Sequence, residues 1–264
     1  MKYWKLFRRY LVIRYRRMIE YRASFLLGLL GGISTLIAFF IFWAVIFSRV
    51  DSINGWTFPQ ILMLLGFFYF AMGIYWVFLI GAEHFHDSII YGDLDTVLSK
   101  PVNPVINQLF SKIDFFGLID FTRGVFLLFL SYFLGLKIPL INFISAVVIA
   151  ILGAIAIGLA VLFTNLLTFW VGRSEALIRS IWELIWEPSG YPLTIFPVFA
   201  QAFYTFLIPL IFVQTYPVII TTQQVSIALV AKILLMELLV IGAWTGVCYV
   251  TWKKGLERYE SLGG

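Results

Sequence analysis

The stretch "ASFLLGLLGGISTLIAFFIFWAVIFS", residues 23 to 48, carries no charged side chain at any of its 26 positions. A helix needs about 20 apolar residues to cross the hydrocarbon core of a bilayer. Backbone N–H and C=O groups in lipid must be hydrogen-bonded within their own element, so an apolar run of this length predicts a helix. The stretch therefore predicts a transmembrane span.

Three further uncharged runs follow along the chain, at Thr57 to Ala82, Ile138 to Gly172 and Pro188 to Ala231. Only 12% of the residues are charged and 61% are hydrophobic, whereas soluble domains carry about 25% charged residues. The composition excludes an ordinary soluble domain. We therefore predict an all-α polytopic membrane protein, folded as a single transmembrane domain over residues 1–264.

Basic residues at both ends of the chain predict its orientation. Eight Lys or Arg side chains lie in the first 22 residues, and Lys253, Lys254 and Arg258 lie near the end. The positive-inside rule then places both termini in the cytoplasm, which requires an even number of crossings. Six transmembrane helices satisfy the alternation of loop charges, and we predict them at residues 23–48, 57–82, 115–136, 139–170, 174–192 and 227–252.

Two segments flank this bundle. Residues 1–22 alternate aromatic and aliphatic side chains with basic ones, which predicts an N-terminal amphipathic interfacial helix on anionic lipid headgroups. The alternative is a basic flank of the first span and nothing more. Five of the nine prolines lie between residues 188 and 217. Because proline ends or kinks helices, we predict a re-entrant hairpin over residues 193–217, before the last span.

Several charges fall within or beside the predicted spans. Asp120 and Arg123 are spaced i,i+3, so their side chains can pair on a helix. Glu175, Arg179, Glu183 and Glu187 recur every four residues and so share one helix face. That face belongs either to an interfacial amphipathic helix or to the cytoplasmic half of the fifth span, turned toward a bundle interior or cavity. The candidate pathway or intramembrane charges are Asp120, Arg123, Glu183, Glu187 and Glu237.

Catalytic and metal motifs are scarce in the sequence. It contains no G-x-x-x-x-G-K-[ST] phosphate loop, no G-x-S-x-G and no H-E-x-x-H. Its single cysteine, Cys248, permits no internal disulfide. The cluster Glu83, His84, His86 and Asp87 is the one set of residues that suggests an intramembrane enzyme. On a helix the two histidines point to nearly opposite sides, so we expect no metal site there.

The loop "IIYGDLDTVLSKPVNP", residues 89 to 104, is the most patterned polar segment. Apolar residues recur in it at nearly helical spacing, and Pro101 and Pro104 end the helix. Its acidic residues outnumber its basic ones, which disfavours contact with an anionic leaflet. We therefore predict, within residues 84–104, a short amphipathic helix that docks into a groove on another protein.

This loop resembles the loop after the second span of ABC-2 type permeases, in particular their bacterial six-span branch. "YPLTIFP", residues 191 to 197, and "IPLIFVQTYP", residues 208 to 217, are similar to that branch as well. The resemblance implies the membrane subunit of an ATP-driven exporter in the bacterial cytoplasmic (inner) membrane. Its partners would be a second permease subunit, identical or related, and two copies of a cytoplasmic ATPase that binds ATP and Mg. No cofactor on this chain and no nucleic acid are implied.

The resemblance also implies roles for particular residues. The loop between spans two and three would hold a coupling helix that contacts the ATPase through Ile90, Asp93, Leu94, Asp95 and Leu98. The N-terminal segment would be the connecting helix, with Trp4, Phe7, Arg8, Leu11 and Arg14. Before Pro101 stands a lysine where many relatives carry arginine, and a lysine cannot make bidentate contacts. Two alternatives stay open: the intramembrane enzyme, and a secondary transporter that works alone.

Overall fold

The computed structural model describes residues 2–20, 22–112, 114–136, 138–223 and 225–259. Within these ranges the chain is helical, and its extended pairing is limited to one bridge between Ile53 and Trp56. The helices are α1 (Lys2–Glu20), α2 (Arg22–Phe47), α3 (Phe58–Ile74), α4 (Phe85–Ile90), α5 (Asp93–Leu98), α6 (Pro104–Ser111), α7 (Gly117–Phe133), α8 (Leu140–Leu166), α9 (Thr168–Val171), α10 (Glu175–Trp186), α11 (Val198–Phe206), α12 (Leu210–Val213), α13 (Thr215–Thr222) and α14 (Ile227–Leu256). The predicted all-α class is confirmed for the described residues.

Four stretches of the described chain are long and apolar enough to cross a membrane: Ala23–Phe47, Phe58–Ile90, Leu140–Val171 and Ile227–Leu256. They overlap four of the predicted spans. The predicted third and fifth spans fall on α7, with 17 residues, and α10, with 12 residues. At 1.5 Å per residue these helices are about 26 Å and about 18 Å long, against a hydrocarbon core of about 30 Å. The count of six spans stays a prediction.

Glycines join α3 and α7 into the most tightly packed antiparallel helix pair. Gly66 and Gly73 lie seven residues apart on α3, as do Gly117 and Gly124 on α7. A Cβ atom added to Gly124 would collide with the backbone of Phe70, and one added to Gly73 would collide with Phe121. Small residues let helix backbones approach this closely in membranes. This seven-residue glycine spacing is visible in the sequence, but no prediction above rested on it.

The core of the molecule lies around α3 and α8. Buried apolar side chains of α3 pack against α7, α8 and α13, while α8 also packs against α12 and α14. Gly153 of α8, for example, lies against Val213 of α12. By contrast, α2 and α14 expose many large apolar side chains, which suits helices at the outside of a membrane bundle.

Side chains satisfy the backbone of the proline-rich segment. Short 3₁₀ turns at Glu187–Gly190 and Leu193–Ile195 lead into α11. The Gln214 side-chain amide donates to the Tyr191 carbonyl at 3.1 Å, and the Leu193 N–H donates to Thr215 Oγ1 at 3.1 Å. Irregular backbone persists at membrane depth where protein groups replace its missing hydrogen bonds. The re-entrant hairpin over residues 193–217 stays a prediction.

Candidate functional site

The end of the second candidate span that leads into α4 changes its helical geometry. A π-helical turn, Tyr75–Leu79, follows α3 and is succeeded by a 3₁₀ turn, Ile80–Ala82. Such turns inside α-helices are rare and are frequent at functional sites. The change of pitch joins α3 to α4 and so to the patterned loop.

The loop forms two helices where the sequence analysis predicted one. Between α4 and α5 lies Gly92, with φ +79°, a left-handed conformation that ends α4 and begins α5. Asn103 then caps α6, because its Oδ1 accepts hydrogen bonds from the N–H groups of Val105 at 3.0 Å and Ile106 at 3.2 Å. The single-helix prediction is corrected: the glycine breaks the helix, and its second half is only six residues long.

The predicted coupling residues divide between the inside and the outside of the chain. Leu94 is 1% exposed and holds α5 against the rest of the chain. Ile90 and Asp95 are half-buried, whereas Asp93 and Leu98 are exposed. Tyr91, which the sequence analysis did not single out, is 73% exposed beside them. The outward surface of the loop therefore includes Tyr91, Asp93 and Leu98, beside the exposed Thr96, Ser99 and Lys100, and Leu94 supports it from within.

His86 of α4 joins this loop to the start of α10. Its Nδ1 atom lies 2.9 Å from Ser174 Oγ and 3.1 Å from Thr168 Oγ1, and these two hydroxyl oxygens are 2.7 Å apart. Its Nε2 atom lies 3.5 Å from Glu175 Oε1. The imidazole is 6% exposed. We call His86, Thr168, Ser174 and Glu175 the His86 latch.

The remaining members of the "EHFHD" cluster point elsewhere. His84 Nδ1 contacts Asp87 Oδ2 at 3.1 Å near the surface, while the His86 ring is occupied in the latch. In the part of the chain that the structure describes, no three His, Cys, Asp or Glu side chains are grouped so as to hold a metal ion. The geometry thus separates the two imidazoles, as their i,i+2 spacing predicts.

A second polar network ties α1 and α6 to the same region. The Gln108 amide donates to Ser88 Oγ at 2.7 Å and to the His84 carbonyl at 3.1 Å. The Tyr10 hydroxyl of α1 donates to Asn107 Oδ1 at 3.4 Å. Among the predicted connecting-helix residues, Arg8 is exposed and Leu11 is half-buried. Trp4, Phe7 and Arg14 lie on α1, but their side chains fall outside the described part.

A cavity of about 340 Å³ opens beside α4. The residues that line it include Ile90, Phe169, Arg173, Arg258 and Tyr259. Burial, followed by the neighbouring Asp95 carboxylate, raises the pKa of the Tyr259 hydroxyl. Arginine is a residue type that binds carboxylate and phosphate groups, and two arginines line this cavity.

The structure confirms the predicted pairing of Asp120 with Arg123, whose atoms Oδ1 and Nη1 are 2.7 Å apart. The Arg123 guanidinium also lies 5.5 Å from the centre of the Tyr69 ring and fills the notch at Gly32 of α2. Glu237 of α14 is fully buried, and neither of its carboxyl oxygens has a hydrogen-bond partner among the described residues. It is an isolated acid inside a candidate span.

The charged residues of α10, and Glu187 directly after it, are exposed. Glu175, Arg179, Glu183 and Glu187 define the acidic stripe of α10, and Glu175 among them also contacts His86 of α4. Another face of α10 packs on α3 and on the π-helical turn that follows it: Trp182 stacks on Trp76 of the turn at 4.9 Å between ring centres, and Trp186 meets Phe68 of α3 at 5.0 Å.

These contacts attach α10 to the second candidate span, at Phe68 and Trp76. Both interpretations of this segment, a helix inside the bundle and a helix lying in the interface, stay predictions.

Comparison with known proteins adds one match. A family model described as ABC-2 family transporter protein matches residues 33–263. No curated protein and no solved structure matches the chain.

Proposed function

Because the chain belongs to the ABC-2 family of transporter proteins, we propose that it is the permease subunit of an ATP-binding cassette exporter. The family consists of multi-pass membrane subunits of transporters. In this proposal two permease subunits, identical or related, form the substrate pathway in the bacterial cytoplasmic membrane, with both termini in the cytoplasm. Two copies of a separate ATPase bind ATP and Mg and supply the energy.

The observation that carries the proposal is the outward surface of Tyr91, Asp93 and Leu98. The buried side chains of Leu94 and Val97 fix α5 in place, so these three exposed residues, with Thr96, Ser99 and Lys100 beside them, stand on a supported element. A short helix of this kind suits a groove on a partner protein. The neighbouring cavity, with Arg173 and Arg258, offers a receptor for an acidic side chain of that partner.

The acidic stripe supports a pathway shared between two chains. A carboxylate that faces lipid near the bilayer centre costs several kcal/mol, so intramembrane charges face protein or water-filled cavities. Within the described chain no other element covers Glu183 or Glu187, since both are exposed. A second permease subunit opposite α10, with water between them, resolves this conflict.

The test is co-purification followed by an ATPase assay. The chain is purified from its native host in mild detergent, the accompanying ATPase is identified by mass spectrometry, and MgATP hydrolysis is measured in nanodiscs. We expect Asp93→Lys and Leu98→Asp each to weaken binding of the ATPase at least about tenfold, as for a contact worth about 1.4 kcal/mol. The matched control is Asp51→Lys, which reverses an exposed charge between α2 and α3.

Three outcomes bear on the proposal. An ATPase that binds the wild-type chain and the control, but binds the two variants weakly, supports it. Absence of any co-purifying ATPase contradicts it. So does an ATPase that binds Asp93→Lys and Leu98→Asp as tightly as it binds the wild type.

A further inference from the structure

We propose that His86 is a positioning residue that passes movement of the coupling segment, α4 and α5, to the start of α10. The inference rests on the proposed function, because it concerns how motion of the ATPase reaches the pathway. It assigns to the second histidine of "EHFHD" a mechanical role in place of a catalytic one. The proposal rests on the contacts of His86 with Thr168, Ser174 and Glu175.

The latch spans elements that are far apart in the chain. His86 is 82 residues from Thr168 and 88 residues from Ser174. In the described part of the chain, the side-chain hydrogen bonds and ion pairs between α4 and the first turn of α10 all involve this imidazole. Removal of the ring therefore cuts that polar connection without touching either helix backbone.

All the polar atoms of the latch are satisfied by one proton arrangement. Nε2–H of His86 donates to the Glu175 carboxylate, Nδ1 accepts the Ser174 hydroxyl proton, and the Thr168 hydroxyl donates to Ser174 Oγ. The arrangement fixes the orientation of the ring, so the ring transmits displacement.

The Ser174 side chain bonds to His86 and Thr168 and does not cap its own helix. Ser174 is the N-cap residue of α10, where a serine oxygen ordinarily accepts a hydrogen bond from the helix, yet its side chain makes no such bond. Its hydroxyl is buried against His86 and Thr168 instead. The start of α10 is thus held by α4 in place of its own cap.

The surroundings allow α10 to follow α4. Gly172, with φ +70°, separates α10 from α9 and α8, and its neighbourhood is open. Farther along α10, Ile181 packs against the core and Trp182 stacks on Trp76 of the π-helical turn, and α10 also contacts α8. The latch is the polar hold at the start of α10, and Glu183 of the acidic stripe follows Trp182 directly.

The hold of the His86 latch on α10 can be tested in the chain alone, by measuring hydrogen–deuterium exchange of residues 178–182. The first of these amides, the Ile178 N–H, donates to the Ser174 carbonyl. We expect His86→Ala to speed exchange there about tenfold, the effect of losing one to two hydrogen bonds. His84→Ala, the matched control, should leave it unchanged. Equal exchange in His86→Ala and the wild type would overturn the inference, and so would equal acceleration in both variants.

Transmission is tested on the complex with the co-purifying ATPase. Addition of a non-hydrolysable ATP analogue should change exchange in α4, α5 and α10 of the wild type and of His84→Ala. In His86→Ala the change should stop at α4 and α5. An α10 response in His86→Ala equal to that of the wild type refutes transmission, as does a wild type whose response never reaches α10. If no ATPase co-purifies, the proposed function fails. The exchange experiment on the chain alone still tests whether the His86 latch holds α10.

Two further variants guard against misfolding of His86→Ala. Ser174→Ala removes the hydroxyl that donates to Nδ1 of His86 and should reproduce the faster exchange. The double variant should add little to either single one, because both cut the same connection. His86→Asn, whose carboxamide oxygen replaces Nδ1, should recover part of the protection. Additive effects in the double variant would contradict a shared latch.

Discussion

The α3–α7 pair and the α4–α10 connection differ in how they hold helices together. In α3–α7, glycines seven residues apart bring two backbones into contact over several turns. Between α4 and α10, one imidazole, two hydroxyls and a carboxylate make the connection. The first depends on many small contacts that cannot be broken singly, whereas the second depends on a few directional bonds that can.

This difference indicates that α3–α7 is rigid and that the α4–α10 connection can move. Packed interfaces in proteins are stiff because a shift of any one side chain disturbs all its neighbours. Hydrogen bonds at helix ends, beside glycines with positive φ, can be remade in a second geometry. We therefore regard α3–α7 as the fixed frame of the subunit and the coupling segment with α10 as its moving part, and the following variants test that view.

The largest effect is expected from Gly124→Leu. The new side chain would collide with the backbone of Phe70, so α3 and α7 could not pack together. Overpacking of this kind costs about 3 kcal/mol or more in stability. We expect loss of the monodisperse peak in size-exclusion chromatography. Gly242→Leu is the control, since its surroundings on α14 are open, and equal behaviour of the two variants would show that the glycine contact is unimportant.

Arg123→Leu tests the charge pair at the edge of the frame. It leaves the Asp120 carboxylate, only 17% exposed, without its partner, and we expect a loss of about 3 kcal/mol in stability. Thermal unfolding in detergent measures it. Adding Asp120→Asn should restore most of the loss, because no charge is then left unpaired; a double variant as unstable as Arg123→Leu would argue against the pair.

Glu237→Met should act in the opposite direction. The wild-type carboxyl is buried with neither oxygen bonded among the described residues, and removal of such a group stabilises a protein by about 1–2 kcal/mol. We expect a higher unfolding temperature, with exposed Glu257→Met as the control. If the carboxyl serves the substrate pathway, transport falls while stability rises. A lower unfolding temperature would mean that a partner for Glu237 exists.

The smallest effect is expected from Gly92→Ala, in the moving part. An alanine at φ +79° is strained by about 1–2 kcal/mol, but the strain is confined to the turn between α4 and α5. We expect little change in the unfolding temperature and about tenfold weaker binding of the ATPase, measured by biolayer interferometry. Gly31→Ala, on a helix in open surroundings, should change neither quantity, and a large fall in stability for Gly92→Ala would place this turn in the frame.

Much of the architecture follows from local sequence patterns. Four predicted spans match long apolar helices, and the Asp120–Arg123 pair follows from i,i+3 spacing. The division of the loop at Gly92 was within reach of the sequence, since a glycine inside a helical pattern is a recognised breaker. The seven-residue glycine spacing of α3 and α7 was readable as well.

Other features had no local signal. The sequence grouped His84 with His86, because they are neighbours in the chain, yet only His86 turns inward, toward hydroxyls more than 80 residues away. Leu94 and Leu98 carry the same side chain one helical turn apart, and only the packing of α5 buries the first and exposes the second. Tyr91 likewise became part of the outward surface through the turn at Gly92.

The sequence by itself determined the class of the protein, because a bilayer forces every long apolar run into a helix that satisfies its own backbone. It also determined which segments are polar enough to leave the membrane. Only the tertiary structure decided which polar side chains meet, since hydrogen bonds such as those of His86 depend on distances between helices that are remote in the chain. The outward surface of the loop between α4 and α6, and the connection of α4 to α10, are therefore products of packing.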